Sequence, residues 1–321
     1  MSKQALILGV TGQDGSFLAD LLLERGYTVH GMYRHTSTGN LTRIRHLLTN
    51  PAFTLHRGDL TDVGSLYDVI THTHPALLLN EADQDNVGWS RSLPGLASRV
   101  TYSAVADLLE IVRQTVPQCR VFQPCSSTMF GSMPPPQNED TRFDPQSPYA
   151  VAKTAAYYLC RHYRQHYGLH VSCGILFNHT STRQTEEYLL HKICASAVKV
   201  ARGKQPTIPL GNLDTVVDIG CAREYMEAAL LMVQQDTPDD YVLATGVAYS
   251  VGELALAALH TAKYMGKGQE AISRDPAYYS DTPSPATQGD VSKAARCLGW
   301  KPQRFAGDLI RELVGHYGGQ S

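Results

Sequence analysis

Ala5-Leu6-Ile7-Leu8-Gly9-Val10-Thr11-Gly12-Gln13-Asp14-Gly15 is the stretch on which the fold turns. Its uninterrupted apolar start suits a buried parallel strand, and the glycines after it let the chain turn tightly into a helix. Phe17 to Arg25 carries a helical pattern and Thr28 to Met32 returns to strand character, so the first 32 residues spell a strand–helix–strand unit. In that context the glycines also bring backbone amides close to a pyrophosphate at a helix N-terminus. Gly9, Thr11, Gly12, Gln13, Asp14 and Gly15 are therefore expected to hold a dinucleotide.

The alternation continues outward from this unit. Strand-like segments recur at Thr54 to His56, Ala76 to Leu79, Arg120 to Gln123 and Val171 to Leu176, with helical stretches between them. The economical solution is an α/β fold with a doubly wound parallel sheet, a Rossmann fold. Past about Phe177 the alternation weakens. Residues 1–177 are read as the NAD(P)-binding domain and 178–321 as a smaller, interleaved and mainly substrate-binding domain. A segment near 212–250 is expected to return to the first domain through a strand at Tyr241 to Thr245.

Composition narrows the function. The 321 residues carry a formal charge of −2 with scattered cations, which offers neither a basic stripe for nucleic acid nor a polybasic arm for a membrane. No stretch approaches the roughly 20 apolar residues of a membrane span. The seven cysteines form no CxxC pair and read as small buried thiols in a reducing cytoplasm. Without an HExxH pattern or a cysteine cluster, the 13 histidines make no case for a metal. A small molecule is the expected partner.

Tyr149-Ala150-Val151-Ala152-Lys153 sets a phenol and an ammonium one helical turn apart on one face. The cation, with a nicotinamide, is expected to lower the phenol's pKa, making Tyr149 a base for a sugar hydroxyl and Lys153 its tuner. The second strand ends Gly31-Met32-Tyr33-Arg34 without an acidic residue for a ribose 2′-hydroxyl. NADP is slightly favoured over NAD, with Arg34 as its 2′-phosphate contact or else a solvated loop cation. Asp59-Leu60, after the third strand, is read as positioning the adenine or as a plain turn.

The GxxGxxG spacing and the YxxxK pair point to short-chain dehydrogenases, and longer segments narrow the match. GVTGQDGSFLADLLLERGYTVHG, GDLTD, SPYAVAKTAAYY, GILFNH, GNLD, ATGVAYSV and LGWKP run collinearly over nearly the whole chain. In them the chain resembles the GDP-mannose 4,6-dehydratase family of extended short-chain dehydrogenases/reductases. The resemblance implies a cycle in which a hydroxyl is oxidised, water is eliminated beside the new ketone, and hydride returns from the same tightly bound cofactor. It also implies a homo-oligomer, dimer or tetramer, in which Arg183 reaches a neighbouring subunit's cofactor. Asn178 and His179, just after a sheet strand, are read as bordering the nicotinamide, with His179 alternatively a structural loop histidine and Asn178 also near the substrate.

Departures from the family fall on its proton path and its phosphate contacts. Its motif resembling STSE-L-Y-G appears as Ser126-Ser127-Thr128-Met129-Phe130-Gly131, with Thr128 in the glutamate's place. A hydroxyl is no comparable base near neutrality. Ser126 is expected to keep a hydrogen bond to the reacting oxygen, with Ser127 and Thr128 orienting substrate. The segment resembling AAQSHV appears as Ala82-Asp83-Gln84-Asp85-Asn86-Val87, where Asp85 or Asp83 replaces the missing base, binds a polar substrate group, or is merely solvated. Val217 and Ser280 occupy positions where the family resembles arginine, leaving Lys192 as a remaining phosphate contact or as a solvated helix lysine. The leading expectation is an NAD(P)-dependent dehydratase of a hexose-bearing nucleoside or another substrate lacking a diphosphate, as in antibiotic biosynthesis. A nucleotide-sugar 4-epimerase or 4-ketoreductase and a non-catalytic cofactor-binding regulator stay open beside it.

Overall fold

A computed structural model describes residues 3–37, 39–275 and 286–319. Its strands are β1 (Gln4–Leu8), β2 (Thr28–Tyr33), β3 (Phe53–Arg57), β4 (Leu77–Asn80), β5 (Arg120–Ser126), β6 (Val171–Leu176), β7 (Asn178–Thr180), β8 (Ile208–Leu210), β9 (Val216–Cys221), β10 (Tyr241–Leu243), β11 (Ala248–Ser250) and β12 (Ile272–Arg274). The helices are α1 (Gln13–Glu24), α2 (Val63–Thr73), α3 (Val87–Ser92), α4 (Pro94–Ser98), α5 (Ala104–Thr115), α6 (Pro148–Tyr167), α7 (Leu189–Ala201), α8 (Ala222–Gln234), α9 (Val251–Thr261), α10 (Ser292–Leu298) and α11 (Ala306–Gly318).

Seven strands form one parallel sheet in the order β10-β6-β5-β4-β1-β2-β3. From β1 the chain builds outward through β2 and β3, then returns to lay β4 against the other side of β1. The order therefore reverses between β1 and β4, and a crevice opens beyond their carboxyl ends, where such sheets take their ligands. The loop after each of these two strands becomes one wall of the site.

β1 shows why the sheet is covered on both faces. Ala5 and Ile7 point into a core shared with Leu18 and Leu22 of α1 and Met226 and Leu230 of α8. Leu6 and Leu8 point the other way, into a core with Ile70 of α2, Leu108 of α5 and Tyr157 of α6. Alternate side chains of a strand face opposite sides, so an all-apolar strand needs helices on both. The predicted strand at Tyr241 to Thr245 is β10, paired with Gly174 to Leu176 of β6. Within 212–250, α8 and β10 pack with the main sheet, whereas β9 joins β7 and β11 in a separate three-stranded sheet. A third core gathers α7, β8, β9, α9 and α11. No helix among the described residues is long and apolar enough to cross a membrane.

Candidate active site

The first wall is made by backbone geometry. Gly9 sits at φ +76°, donates its amide to the Met32 carbonyl, and lies so close to the second wall that a Cβ would meet the Glu81 carbonyl oxygen at 2.6 Å. A Cβ on Gly15 would lie 2.5 Å from the Gly9 carbonyl oxygen. Gly12 begins α1 with no side-chain cap, so the positive end of the helix faces the crevice. A dinucleotide's pyrophosphate fits this cradle, because bare backbone approaches it and the helix N-terminus favours an anion. Asn40 Nδ2 donates to Thr11 Oγ1 at 3.0 Å, and Arg43 donates from Nη1 to the Thr11 carbonyl at 3.2 Å and from Nε to the Arg183 carbonyl. These two residues, unmarked by any motif, brace the loop from the segment after β2.

Asp14 turns from the phosphate cradle toward His179. His179 Nε2 lies 2.9 Å from Asp14 Oδ2, and its Nδ1 lies 2.8 Å from the Phe177 carbonyl, so both ring nitrogens face acceptors. Burial opposes the charged ring, but Asp14 outweighs it and raises the imidazole pKa to about 9. Gln13 bridges the same elements, accepting from Ser181 Oγ at 2.8 Å.

Toward the outer edge of the crevice, Arg34 stands exposed just past β2, and Thr36 Oγ1 is buried without a hydrogen-bond partner. Asp59 accepts from both the amide and the hydroxyl of Thr61, which, with Arg34 nearby, outweigh burial and hold it below the usual carboxylate range. Leu60 is buried in the core beside α2. Together Asp59 and Leu60 form a tight turn on this rim.

α6 carries the redox pair. Ser147 caps it by accepting from the Ala150 amide at 3.1 Å, and Pro148 occupies its first turn, which sets where Tyr149 begins. Tyr149 is 6% exposed and Lys153 3%, with the ammonium 5.7 Å from the ring centroid. Lys153 Nζ donates to the Pro124 carbonyl at 2.7 Å and pairs with Asp83 Oδ2 at 2.7 Å. Burial disfavours its charge, but Asp83 and Tyr149 hold its pKa above the ordinary lysine value. Among the protein groups, burial, with Asp83 and Asp85, outweighs Lys153 and the Ser126 hydrogen bond and raises the Tyr149 pKa.

The second wall, after β4, is lined with carboxylates. Asp83 is held at both oxygens: Oδ1 accepts from Thr101 Oγ1 at 2.5 Å and from the Gln84 amide at 2.7 Å, while Oδ2 forms an ion pair with Lys153 Nζ at 2.7 Å. Asp85 opens onto the crevice and accepts from Tyr188 Oη at 2.8 Å. The protein mass around it and the neighbouring Asp83 and Asp14 push its pKa up against the Tyr188 bond. Glu81, which no sequence argument singled out, has a buried Oε1 without a partner, and burial plus Asp14 raises its pKa to about 8. Thr128 Oγ1 donates to Ser126 Oγ at 2.9 Å, tying both hydroxyls together beside Tyr149, while Ser127 is turned inward and buried.

The remaining predicted residues lie farther out. Asn178 is exposed in β7, and Val217 is 9% exposed in β9 opposite Tyr249. Lys192, on α7, has its pKa lowered to about 8 by burial despite Asp275. Ser280 lies outside the described residues. Arg183 is engaged within its own chain. It bonds Asp20 Oδ2 at 2.6 Å and Ser16 Oγ at 2.9 Å and stacks on Phe17 at 4.1 Å, because those acceptors on α1 lie directly beneath it.

Comparison with known proteins agrees with this architecture. The family model described as GDP-mannose 4,6 dehydratase matches residues 6–313. GDP-mannose 4,6 dehydratase 2 of Arabidopsis thaliana is 41% identical over 97% of this chain and 86% of its own length. GDP-mannose 4,6 dehydratase 2 of Caenorhabditis elegans is 39% identical over 97% of this chain and 88% of its own. Among solved structures, dTDP-glucose 4,6-dehydratase from Bacillus anthracis in complex with NAD superposes with a TM-score of 0.84 at 20% identity, covering 98% of this chain and 96% of that one. That likeness is one of fold.

Proposed function

The chain belongs to the GDP-mannose 4,6-dehydratase family of extended short-chain dehydrogenases/reductases, and from that premise we propose an NAD(P)-dependent sugar dehydratase whose substrate lacks a diphosphate. A hexose-bearing nucleoside or a similar neutral glycoside fits best. One observation carries the reading: the hydroxyl at the family's glutamate position, Thr128, is tied to Ser126, while a carboxylate with a raised pKa, Asp85, faces the crevice beside Tyr149.

The nicotinamide dinucleotide, NADP slightly ahead of NAD, supplies a hydride acceptor and donor across the glycine loop, with Arg34 free of any acidic neighbour on β2 to favour a 2′-hydroxyl. Tyr149 takes the proton of a ring hydroxyl as that carbon is oxidised, and Lys153 stabilises the phenolate. Ser126 donates to the reacting oxygen, and Thr128 holds Ser126 in place. Asp85 then removes the proton beside the new ketone, a task for which a carboxylate of raised pKa is suited, and passes it to the hydroxyl on the neighbouring carbon, whose C–O bond breaks to release water. Asn178, Lys192 and Val217 complete the proposed substrate surroundings.

Two side chains support the substrate class: Val217 is apolar, and Lys192 has its pKa lowered to about 8 by burial. Arginine's paired, charge-assisted bonds to phosphate are not offered at Val217. Residues 1–177 serve as the cofactor part and 178–321 mainly as the substrate part. Exposed Trp89, Leu93, Tyr102, Val151 and Tyr158 around α3, α4 and α6 support a homo-oligomer.

The test is to incubate the protein with hexose nucleosides, neutral glycosides and nucleotide-diphosphate sugars in the presence of catalytic NAD or NADP. Mass spectrometry should show loss of one water from an uncharged sugar without net cofactor reduction. Water loss from GDP-mannose alone, or from none of the sugars, overturns the substrate reading.

A further inference from the structure

Lys153 has three N–H donors, and the structure commits two of them, one to the Pro124 carbonyl and one to Asp83. Asp83 in turn is held rigidly. Thr101, buried in the π-helical turn Arg99–Ser103, donates to its Oδ1, and so does the Gln84 amide. Its partners come from α6, this turn and its own loop, so its orientation is fixed from three sides. It faces the ammonium that lies against the Tyr149 ring.

We propose that Asp83 is a positioning residue for the redox pair: by sharing the Lys153 ammonium, it sets how strongly that ammonium acts on the Tyr149 phenol. The physical reason is that a lone cation acts on the phenol as a full charge, whereas a cation 2.7 Å from its counter-ion acts as a dipole whose field falls off faster. The other groups facing this pair are Glu81 and Asp85 from the second wall, Cys125 and Ser126 from β5, and Tyr188 before α7, while Asp14 from α1 and His179 from β7 act on Glu81 behind them. Asp83 is the carboxylate in direct contact with the ammonium, and the rise in the Tyr149 pKa agrees with its influence. Tyr149 is thereby a stronger base once ionised and is ionised at higher pH.

The inference rests on Tyr149 being the redox base, but its test needs no sugar, so it stands or fails separately from the substrate assignment. The protein, saturated with NAD, is titrated by near-ultraviolet phenolate absorbance, and the Tyr149 contribution is taken as the difference from Tyr149→Phe. In Asp83→Asn that contribution should appear about one to two pH units lower, the size expected for removing a neighbouring charge. A merely structural Asp83 would change thermal stability and leave the titration where it was. Coincident curves for the protein and Asp83→Asn overturn the proposal. Should the amide prevent folding, Asp83→Ala gives the same readout with a smaller side chain, and the same shift is expected.

Discussion

The two walls of the crevice are held in opposite ways. The glycine loop after β1 is fixed by sterics: Gly9 takes a left-handed conformation with the Glu81 carbonyl pressed against it, and there is no room for a side chain. The loop after β4 is fixed by charge: Asp83 grips Lys153, Asp85 holds the Tyr188 hydroxyl, and Glu81 is buried without a bond at Oε1. A wall held by sterics tolerates little change and keeps one ligand chemistry. A wall held by paired side chains can change its chemistry when the pairs change, while the fold around it stays the same. Asp83 and Asp85, two of the expected departures from the family, lie on the second wall, and the glycine pattern lies on the first.

That contrast can be broken by substitution. Asp85→Asn should produce the largest effect, lowering the rate of water loss by about 10²–10⁴ while NAD(P) affinity and melting temperature stay unchanged. A parallel loss of affinity would mean that the second wall is also a cofactor scaffold. Gly9→Ala should do the reverse. It forces a side chain into a left-handed position and a backbone contact, so a loss of at least about 1–3 kcal/mol in denaturant stability is expected, together with weakened NAD(P) binding by calorimetry. Wild-type stability and affinity in this variant would remove the steric argument.

A subtler probe is the ion pair between Asp14 of the first wall and His179. His179 is held protonated up to about pH 9 by Asp14, above the ordinary value of 6.5. A group whose pKa is raised on folding contributes stability that is complete below its unfolded pKa and is lost as pH rises through the folded one. Urea unfolding should therefore show stability declining from about pH 6.5 to about 9, and Asp14→Asn should flatten that decline. The smallest effect is expected at the start of α6. Ser147→Ala removes the cap that sets where Tyr149 begins and should cost about 1 kcal/mol, read as a lower urea midpoint with unchanged slope.

The fold was legible because its signals are local. The apolar run Ala5 to Leu8, the glycines after it and the helical spacing of Phe17 to Arg25 lie within about one supersecondary unit, and all seven strands of the main sheet could be placed from such patterns. The site was legible only as an inventory. Tyr149 and Lys153 share a helix face, so their meeting could be foreseen from a spacing of four. Nothing in the spacing of Asp83 and Asp85 distinguishes them, and Glu81, Asn40 and Arg43 match no pattern at all.

By itself, then, the chain's order of residues determined the parallel sheet, the crevice where the strand order reverses, the glycine cradle and the presence of extra carboxylates beside the redox pair. Tertiary structure alone decided what those carboxylates are for. Thr101 reaches Asp83 across 18 residues, Tyr188 reaches Asp85 across 103, and His179 reaches Asp14 across 165. Charge and burial act through space, so a pKa such as that of Tyr149 depends on neighbours that are brought together only by folding.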